Sequence, residues 1–239
     1  ACNIDFSLYK RGTIIRRLER RMLLHHTTSM AEYVARLARE PGEARLLCHD
    51  FLINVTSFFR EPESFADLAR FIWPRLLESR PPKRPVRIWV PGCASGEEVY
   101  SIAMSLLEFL GEPPVGLQIQ VFGTDVSETA ILTARAGLYA ESIASQVSSE
   151  RLERFFERRD SRYRVKKSVR ELCIFSRHDV TRDPPFSRLD LLSCRNLLIY
   201  LGQQAQKQLF PLLHYALNSD GYLLLGRAES VGASAHFFR

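Results

Sequence analysis

The sequence predicts an α/β protein in which a small N-terminal helical domain precedes a larger domain with a mostly parallel β-sheet. Two observations predict this fold class. Before residue 78 the chain shows helical periodicity interrupted by a loop at residues 54–61, whereas strands and helices alternate from residue 86 onward. Three prolines between residues 79 and 85 hold the chain extended at the change of pattern. We therefore expect a helical domain at residues 1–78, a linker at 79–85 and the sheet domain at 86–239.

The helical domain shows apolar residues at helical spacing over residues 13–25, 29–39, 43–51 and 62–78. The first of these helices carries four basic residues opposite its apolar side: Arg16, Arg17, Arg20 and Arg21. Residues 1–90 hold 16 basic and 10 acidic side chains and so account for the whole net charge of +6. The pattern is compatible with a solvated face and with a surface that binds an acidic partner.

A strand followed by a glycine turn begins the sheet domain. The strand is a β-branched run at residues 86–90. Gly92 and Gly96 come next and allow the backbone to approach a ligand closely. This arrangement is typical of a nucleoside-binding loop.

The helix predicted at residues 97–110 begins with the spacing of a capping box. Ser95 and Glu98 stand three residues apart, as that motif requires. Glu98 is then a structural cap partner, and Glu97 is left free to point into the pocket.

A second strand, at residues 117–124, ends on Asp125, where nucleoside-binding folds place an acid on ribose hydroxyls. The glycines lack the Gly-x-Gly-x-x-Gly spacing and no Walker lysine follows them, so a pyrophosphate or triphosphate ligand is disfavoured. A nucleoside without phosphate fits better, and S-adenosylmethionine is the common one. The alternative interpretation is a plain turn with an incidental acid.

The rest of the chain continues the alternation around one insert. Nine basic and three acidic residues between 151 and 170 make the insert, at about residues 140–172, a second positive patch. Within it we expect a helix at 149–157 and antiparallel strands at 162–165 and 170–175. In the main sheet we expect further strands at residues 172–176, 189–193 and 221–226. We expect helices beside the sheet at residues 128–136 and 203–217.

Composition excludes several classes of protein. No apolar run approaches the roughly 20 residues of a membrane-spanning helix, and the N-terminus lacks the apolar block of a signal peptide, so we expect a soluble, cytoplasmic protein. The five cysteines include no Cys-x-x-Cys pair, so no metal site is expected. No Ser/His/Asp or Cys/His arrangement points to nucleophilic catalysis.

Three motifs resemble those of the CheR chemotaxis receptor methyltransferases, in the same order and at similar spacing. They are NVTSFFR at residues 54–60, GCASGEEVYS at 92–101 and SCRNLLIY at 193–200. Asp125 falls where that family keeps its ribose acid. The blocks at residues 5–10 and 183–187 are most similar to CheR domains inside CheB-CheR fusion proteins. The resemblance therefore implies an excised domain, with CheB-like or sensor domains as its fused partners.

The family resemblance implies a class I S-adenosylmethionine-dependent methyltransferase fold and a set of cofactor contacts. Asp125 would hold the ribose and Asp179 the adenine. The family usually has asparagine where Asp179 stands, but an aspartate can still accept from the adenine amino group. The implied cofactor-binding residues are Asn54, Thr56, Arg60, Gly92, Ala94, Glu97, Asp125, Asp179, Val180, Cys194 and Arg195.

The implied substrate is a glutamate side chain on the cytoplasmic helical domain of a chemoreceptor, with S-adenosylhomocysteine as the second product. A carboxyl group with a pKa of about 4.3 is ionised at neutral pH and needs no general base, so catalysis would be positioning. The candidates for holding the carboxylate are Arg60, Arg195 and Tyr200. The four arginines of the first helix would steer the enzyme to acidic receptor surfaces. In the family, the insert can bind a receptor tail peptide.

Two other functions remain open. Residues 183–186, DPPF, resemble the motif of nucleic-acid amino-methyltransferases. They precede the strand at 189–193 instead of following it, which favours a turn with an aromatic anchor and no nucleic-acid partner. The second alternative is a catalytically silent domain that senses S-adenosylmethionine or another nucleotide inside a signalling protein.

Overall fold

The computed structural model describes residues 4–53, 55–78, 84–111 and 116–238. Asn54 and most of the predicted linker, residues 79–83, lie outside the described residues.

The N-terminal region contains three helices around a small apolar core. They are α1 (Arg11–Leu24), α2 (Met30–Arg39) and α3 (Pro41–Phe51). The hydroxyl of Ser29 accepts the Glu32 N–H at 3.2 Å and caps α2, and Pro41 occupies the first turn of α3. Tyr33 and Phe51 are buried in the core of this helical unit.

The next helical stretch packs on the sheet. It begins with α4 (Pro62–Asp67), passes through a π-helical piece at Leu68–Ile72 and ends with α5 (Trp73–Glu78). Trp73 is fully buried in the main core and donates its indole N–H to Ser105 at 3.1 Å. This stretch therefore covers one face of the sheet.

The predicted parallel sheet is confirmed. Its five strands are ordered β6-β2-β1-β7-β8, and each neighbouring pair in the described residues is parallel. The strands of the protein are β1 (Val86–Pro91), β2 (Ile119–Asp125), β3 (Leu138–Ala140), β4 (Phe156–Arg159), β5 (Arg162–Val165), β6 (Cys173–Arg177), β7 (Leu189–Cys194) and β8 (Leu217–Leu225). The remaining helices are α6 (Glu97–Leu110), α7 (Glu128–Ala136), α8 (Ser149–Phe155), α9 (Lys167–Arg170) and α10 (Gln203–Ala216).

Strand β1 shows why helices cover both faces of the sheet. Ile88 and Val90 point into the core shared with α6, while Trp89 points into the core shared with α10. Side chains alternate along a strand, so a strand that is apolar at consecutive positions is buried on both faces.

The insert is a three-stranded antiparallel sheet in the order β3-β5-β4. The predicted pairing of residues 162–165 with 170–175 is wrong, because β5 pairs with β3 and β4 and residues 173–177 form β6 of the main sheet. The predicted helix at 149–157 ends at Phe155, and β4 follows it directly. Asp160 adopts a φ of 53° in the tight turn between β4 and β5, which closes this hairpin.

Among the residues that the structure describes, none of the helices has the length and apolar content needed to cross a membrane.

Candidate active site

A cleft opens at the carboxyl ends of the parallel strands. It encloses about 640 Å³ of space that is open to solvent. Gly92 after β1, Asp125 at the end of β2, Asp179 after β6 and Tyr200 after β7 all line it. Ligands of open α/β sheets bind in the crevice outside this edge, so this cleft is the candidate active site.

The turn between β1 and α6 requires its glycines. Gly92 and Gly96 have φ values of 68° and 95°, and a Cβ atom at Gly96 would lie 2.8 Å from that of Ala134. Ala94, between them, is also left-handed, with a φ of 47°. Its N–H donates to Oδ2 of Asp125 at 2.9 Å, so the turn is tied to the next strand.

Asp125 is 8% exposed and is held by backbone donors. Its Oδ1 accepts the N–H of Ser127 at 2.8 Å, and its Oδ2 accepts the N–H of Ala94. Burial raises the pKa of Asp125, and these two hydrogen bonds oppose that rise. Each carboxylate oxygen keeps a further lone pair that can accept a hydroxyl in the cleft.

Asp179 presents an unpaired oxygen. Its Oδ1 accepts from the backbone N–H and the hydroxyl of Thr181, at 3.0 and 2.6 Å. Its Oδ2 is buried and has no hydrogen-bond partner in the structure. A buried acceptor without a donor is costly, so this oxygen is suited to an amino group of a ligand.

The segment after β7 is fixed by Glu229, which the sequence did not single out. Its two carboxylate oxygens accept the N–H groups of Asn196, Leu198 and Gly226 at 2.7–2.9 Å. Asn196 adopts a φ of 56°, so these bonds hold a turn that places Tyr200 in the cleft.

Arg195 lies beside the cleft and does not line it. Its side chain is 1% exposed, and its Nη2 donates to the carbonyl of Arg60 at 2.6 Å and to Glu61 at 3.1 Å. Its Nη1 lies 3.7 Å from Glu98, and neither Nη1 nor Nε has a hydrogen-bond partner among the residues that the structure describes. Arg195 therefore ties β7 to the loop that precedes α4 and to the start of α6.

The capping box predicted at α6 is wrong. Gly96 is the N-cap residue, and the Ser95 hydroxyl donates instead to Glu97, at 2.7 and 3.0 Å. Glu98 turns inward and accepts from Ser193 at 2.6 Å. Burial raises the pKa of Glu97 and of Glu98.

The loop at residues 55–61 is anchored by its two phenylalanines. Phe58 and Phe59 are 2% and 6% exposed, and the ring of Phe59 lies 3.7 Å from the guanidinium of Arg151. Arg60 is half-buried and donates to the carbonyl of Val55 at 3.2 Å. The two phenylalanines therefore fix this loop to the core.

The predicted cofactor residues divide into three groups in the structure. Four of them, Gly92, Asp125, Asp179 and Val180, share the cleft with Tyr200. Asn54 lies outside the described residues. The side chains that do not line the cleft belong to Thr56, Arg60, Ala94, Glu97, Cys194 and Arg195.

Residues that the sequence did not indicate also line the cleft. Tyr9 comes from the chain before α1, and residues 51–53 lie at the end of α3. His178 precedes Asp179, and its Nε2 donates to the carbonyl of Pro184 at 3.0 Å. These residues are aromatic or apolar and form no motif, so the local sequence does not indicate that they line a site.

The basic face of α1 consists of three arginines instead of four. Arg16 and Arg20 are exposed and Arg17 is half-buried. Arg21 differs because its side chain is 11% exposed and pairs with Glu43. The guanidinium of Arg21 is therefore part of the helical core and does not belong to the surface that was predicted for a partner.

The DPPF tetrad forms a loop between β6 and β7. Phe186 stacks on Phe122 with ring centroids 4.7 Å apart and also contacts Trp89 at 5.3 Å. The expected turn with an aromatic anchor is confirmed. Within the described ranges, no group of three or more His, Cys, Asp or Glu side chains could hold a metal ion.

Comparison with known proteins identifies the family. The model of the CheR methyltransferase SAM-binding domain matches residues 54–239, and that of the CheR all-alpha domain matches residues 1–52. The chain belongs to the CheR methyltransferase family. The cleft therefore lies in the S-adenosylmethionine-binding domain of a methyltransferase.

Relatives cover most of this CheR chain. A chemotaxis protein methyltransferase of Pseudomonas aeruginosa is 34% identical over 99% of this chain and 84% of its own length. One of Borreliella burgdorferi is 30% identical over 95% of this chain and 83% of its own length. An uncharacterized 104.1 kDa protein of Rhodobacter capsulatus is 39% identical over 95% of this chain. The chain spans only 24% of that last protein.

Proposed function

We propose that this protein transfers a methyl group from S-adenosylmethionine to glutamate side chains of chemotaxis-type receptors and forms glutamate methyl esters. Membership of the CheR family supports the reaction class. The observation that carries the proposal is the cleft, where the unpaired Oδ2 of Asp179 and the backbone-bound carboxylate of Asp125 line the same space.

These residues fit the nucleoside of the cofactor. The buried Oδ2 of Asp179 can accept from an exocyclic amino group, and Asp125 can accept from ribose hydroxyls. Gly92 lets the backbone approach the ligand closely. The cofactor contacts that we propose in addition are Asn54, Thr56, Arg60, Ala94, Glu97, Val180, Cys194 and Arg195.

The protein has little covalent chemistry to perform. When bound, S-adenosylmethionine supplies an electrophilic methyl group on a sulfonium. A glutamate carboxyl group is already ionised at neutral pH, so no side chain has to remove a proton from it. The role left to the chain is to orient the carboxylate and exclude water.

Tyr200, Arg60 and Arg195 are the proposed positioning groups for the carboxylate. Tyr200 lines the cleft directly. Arg195 is already bound to Glu61 and to the carbonyl of Arg60, so it acts best by holding Arg60 in place. Because the Arg195 guanidinium is engaged in these bonds, it does not neutralise the carboxylate oxygen that attacks the methyl group.

Calorimetric titration with S-adenosylmethionine and S-adenosylhomocysteine tests the cofactor site. We expect micromolar binding by the wild-type protein and its loss in Asp125→Ala. Asp220→Ala, which removes an exposed acid on β8, is the matched control and should bind like wild type. A folded wild-type protein that binds neither ligand would overturn the proposal.

Methylation of a receptor fragment tests the reaction. Incubation with methyl-labelled S-adenosylmethionine should label glutamates through a bond that mild alkali cleaves, as expected for an ester. Label in an alkali-stable bond, or on nucleic acid, would contradict the assignment. The same assay on Tyr200→Phe measures what the phenol contributes.

A silent sensor is the second candidate function. It is favoured by one observation, the burial of the Arg195 side chain, which is 1% exposed, donates to Glu61 at 3.1 Å and does not line the cleft. Cofactor binding without methylation of any receptor fragment would support the sensor.

We also propose where the domain boundary lies, which domains are fused to this one and which surfaces bind the receptor. We infer a boundary between the helical and sheet domains at residues 79–85, and CheB-like or sensor domains as fused neighbours. The Rhodobacter protein, of which this chain spans 24%, supports such a fusion. The insert is the proposed site for a receptor tail peptide, and the exposed arginines of α1 are the proposed receptor-binding surface.

A further inference from the structure

The first described segment, residues 4–10, joins the helical domain to the cleft. The N–H of Lys10 donates to the carbonyl of Tyr200 at 2.8 Å, and the N–H of Gly202 donates to the carbonyl of Leu8 at 2.8 Å. Tyr9 and Leu201 form an antiparallel bridge between these two bonds. The segment is thus fixed to the chain that follows β7, on the rim of the cleft.

Side chains of this segment pack in two cores at once. The ring of Phe6 lies 4.7 Å from that of Phe51, in the core of the helical unit. The ring of Tyr9 lies 5.3 Å from that of Phe6 and packs against the sheet core that contains Leu201. Tyr9 is therefore held in a defined position by contacts from both sides.

Tyr9 faces the two acids of the cleft. It lines the same space as Asp125 and Asp179. Burial, and then the charges of Asp179 and Asp125, raise the pKa of Tyr9 to about 12. The phenol stays protonated at neutral pH, so Tyr9 contributes an uncharged aromatic ring to the cleft that Asp125 and Asp179 also line.

We infer that Tyr9 is a cofactor-contacting residue whose ring packs against the adenosine held by Asp125 and Asp179, which makes the segment before α1 a wall of the cofactor site. This inference rests on the proposed function. An aromatic ring buries a large area against a flat nucleoside at little cost in side-chain entropy. The segment then connects the cofactor directly to α1, which starts two residues later at Arg11.

Two substitutions at Tyr9 measure separately what the ring and the hydroxyl contribute to binding. We expect Tyr9→Ala to weaken binding of S-adenosylhomocysteine about tenfold or more in a calorimetric titration. Tyr9→Phe keeps the ring and should stay within about threefold of wild type. Tyr215→Ala, the same change at a tyrosine that is 73% exposed on α10, is the matched control and should leave the affinity unchanged.

A direct readout separates contact from a merely structural role. In a deuterated protein with protonated tyrosine rings, bound S-adenosylhomocysteine should show nuclear Overhauser effects from its ribose or adenine protons to a ring that disappears in Tyr9→Phe. Binding by wild type without that effect, or full affinity in Tyr9→Ala, would overturn the role of Tyr9 and leave the proposed function standing. Absence of binding by the wild-type protein would overturn both.

Discussion

At the scale of single residues, Glu43 is the acid on which the helical unit depends. Its carboxylate is buried, accepts from Arg21 Nε at 2.8 Å and from the hydroxyl of Tyr33 at 2.6 Å, and lies 2.8 Å from Nε2 of His25. We expect Glu43→Gln to lower the free energy of unfolding by about 3 kcal/mol, because it leaves the buried Arg21 charge with only Asp50, whose carboxylate is 3.6 Å away. Urea denaturation at neutral pH measures this. Glu40→Gln, at a half-exposed ion pair, should cost less than about 0.5 kcal/mol.

Protonation of the Glu43 carboxylate makes the stability of the fold depend on pH. Hydrogen bonding from Arg21 is the main cause that lowers the pKa of Glu43 from 4.5 to about 2. A folded pKa below the unfolded one means that this stabilisation is complete above pH 4.5 and is lost as the pH falls toward 2. Wild type should lose about 3 kcal/mol from this group over that range. An equally steep pH dependence in Glu43→Gln would contradict this account.

Sequence analysis could not separate Arg21 from Arg16, Arg17 and Arg20. All four fall on one side of α1 by helical spacing, and only the packing of α1 against α3 brings Glu43 to one of them. A partner 22 positions away leaves no mark on the local charge pattern. By contrast, Asp125 was predictable, because its place at the end of a strand is a local feature.

At the scale of elements, Gly123 decides how closely α6 and β6 approach β2. A Cβ atom there would lie 2.7 Å from Val99 of α6 and 2.7 Å from Phe175 of β6, both of which are buried. We expect Gly123→Ala to destabilise the fold by about 1–3 kcal/mol in chemical denaturation, since the core must shift to admit one methyl group.

Gly42 provides the control for that substitution. It lies in α3, and a Cβ atom there would meet nothing within 4 Å. Gly42→Ala should therefore leave the stability unchanged or raise it by up to about 1 kcal/mol, because alanine restricts the unfolded chain. Equal destabilisation by both substitutions would show that crowding at Gly123 is not the cause.

Most elements could be predicted from periodicity, and the insert shows where this fails. The three central strands of the main sheet, β1, β2 and β7, are buried at nearly every position and are easily recognised. Strand β4 is short and follows α8 without a break, so its sequence continues the helical pattern. Its identity depends on pairing with β5, and pairing is a property of the folded chain.

At the scale of the whole molecule, the helical unit helps to line the candidate cleft. Tyr9 from before α1 and residues 51–53 at the end of α3 both line it. No motif marks them, because their role comes from the docking of one unit on the other. Under the proposed function, cofactor binding and any ligand of α1 act on the same short segment, and such coupling is reciprocal.

The exposed positive charges on α1 lead to a prediction about docking of the receptor. Arg16 and Arg20 are exposed on α1, in the part of the chain that carries the net charge of +6. We expect Arg16→Glu with Arg20→Glu to weaken binding to an acidic helical receptor fragment about tenfold at low salt, and the difference to shrink as salt screens the charges. Lys207→Glu, an exposed position on α10, should have little effect. Unchanged receptor binding and methylation by the double variant at low salt would rule out α1 as the docking surface, since steering by charge is strongest there.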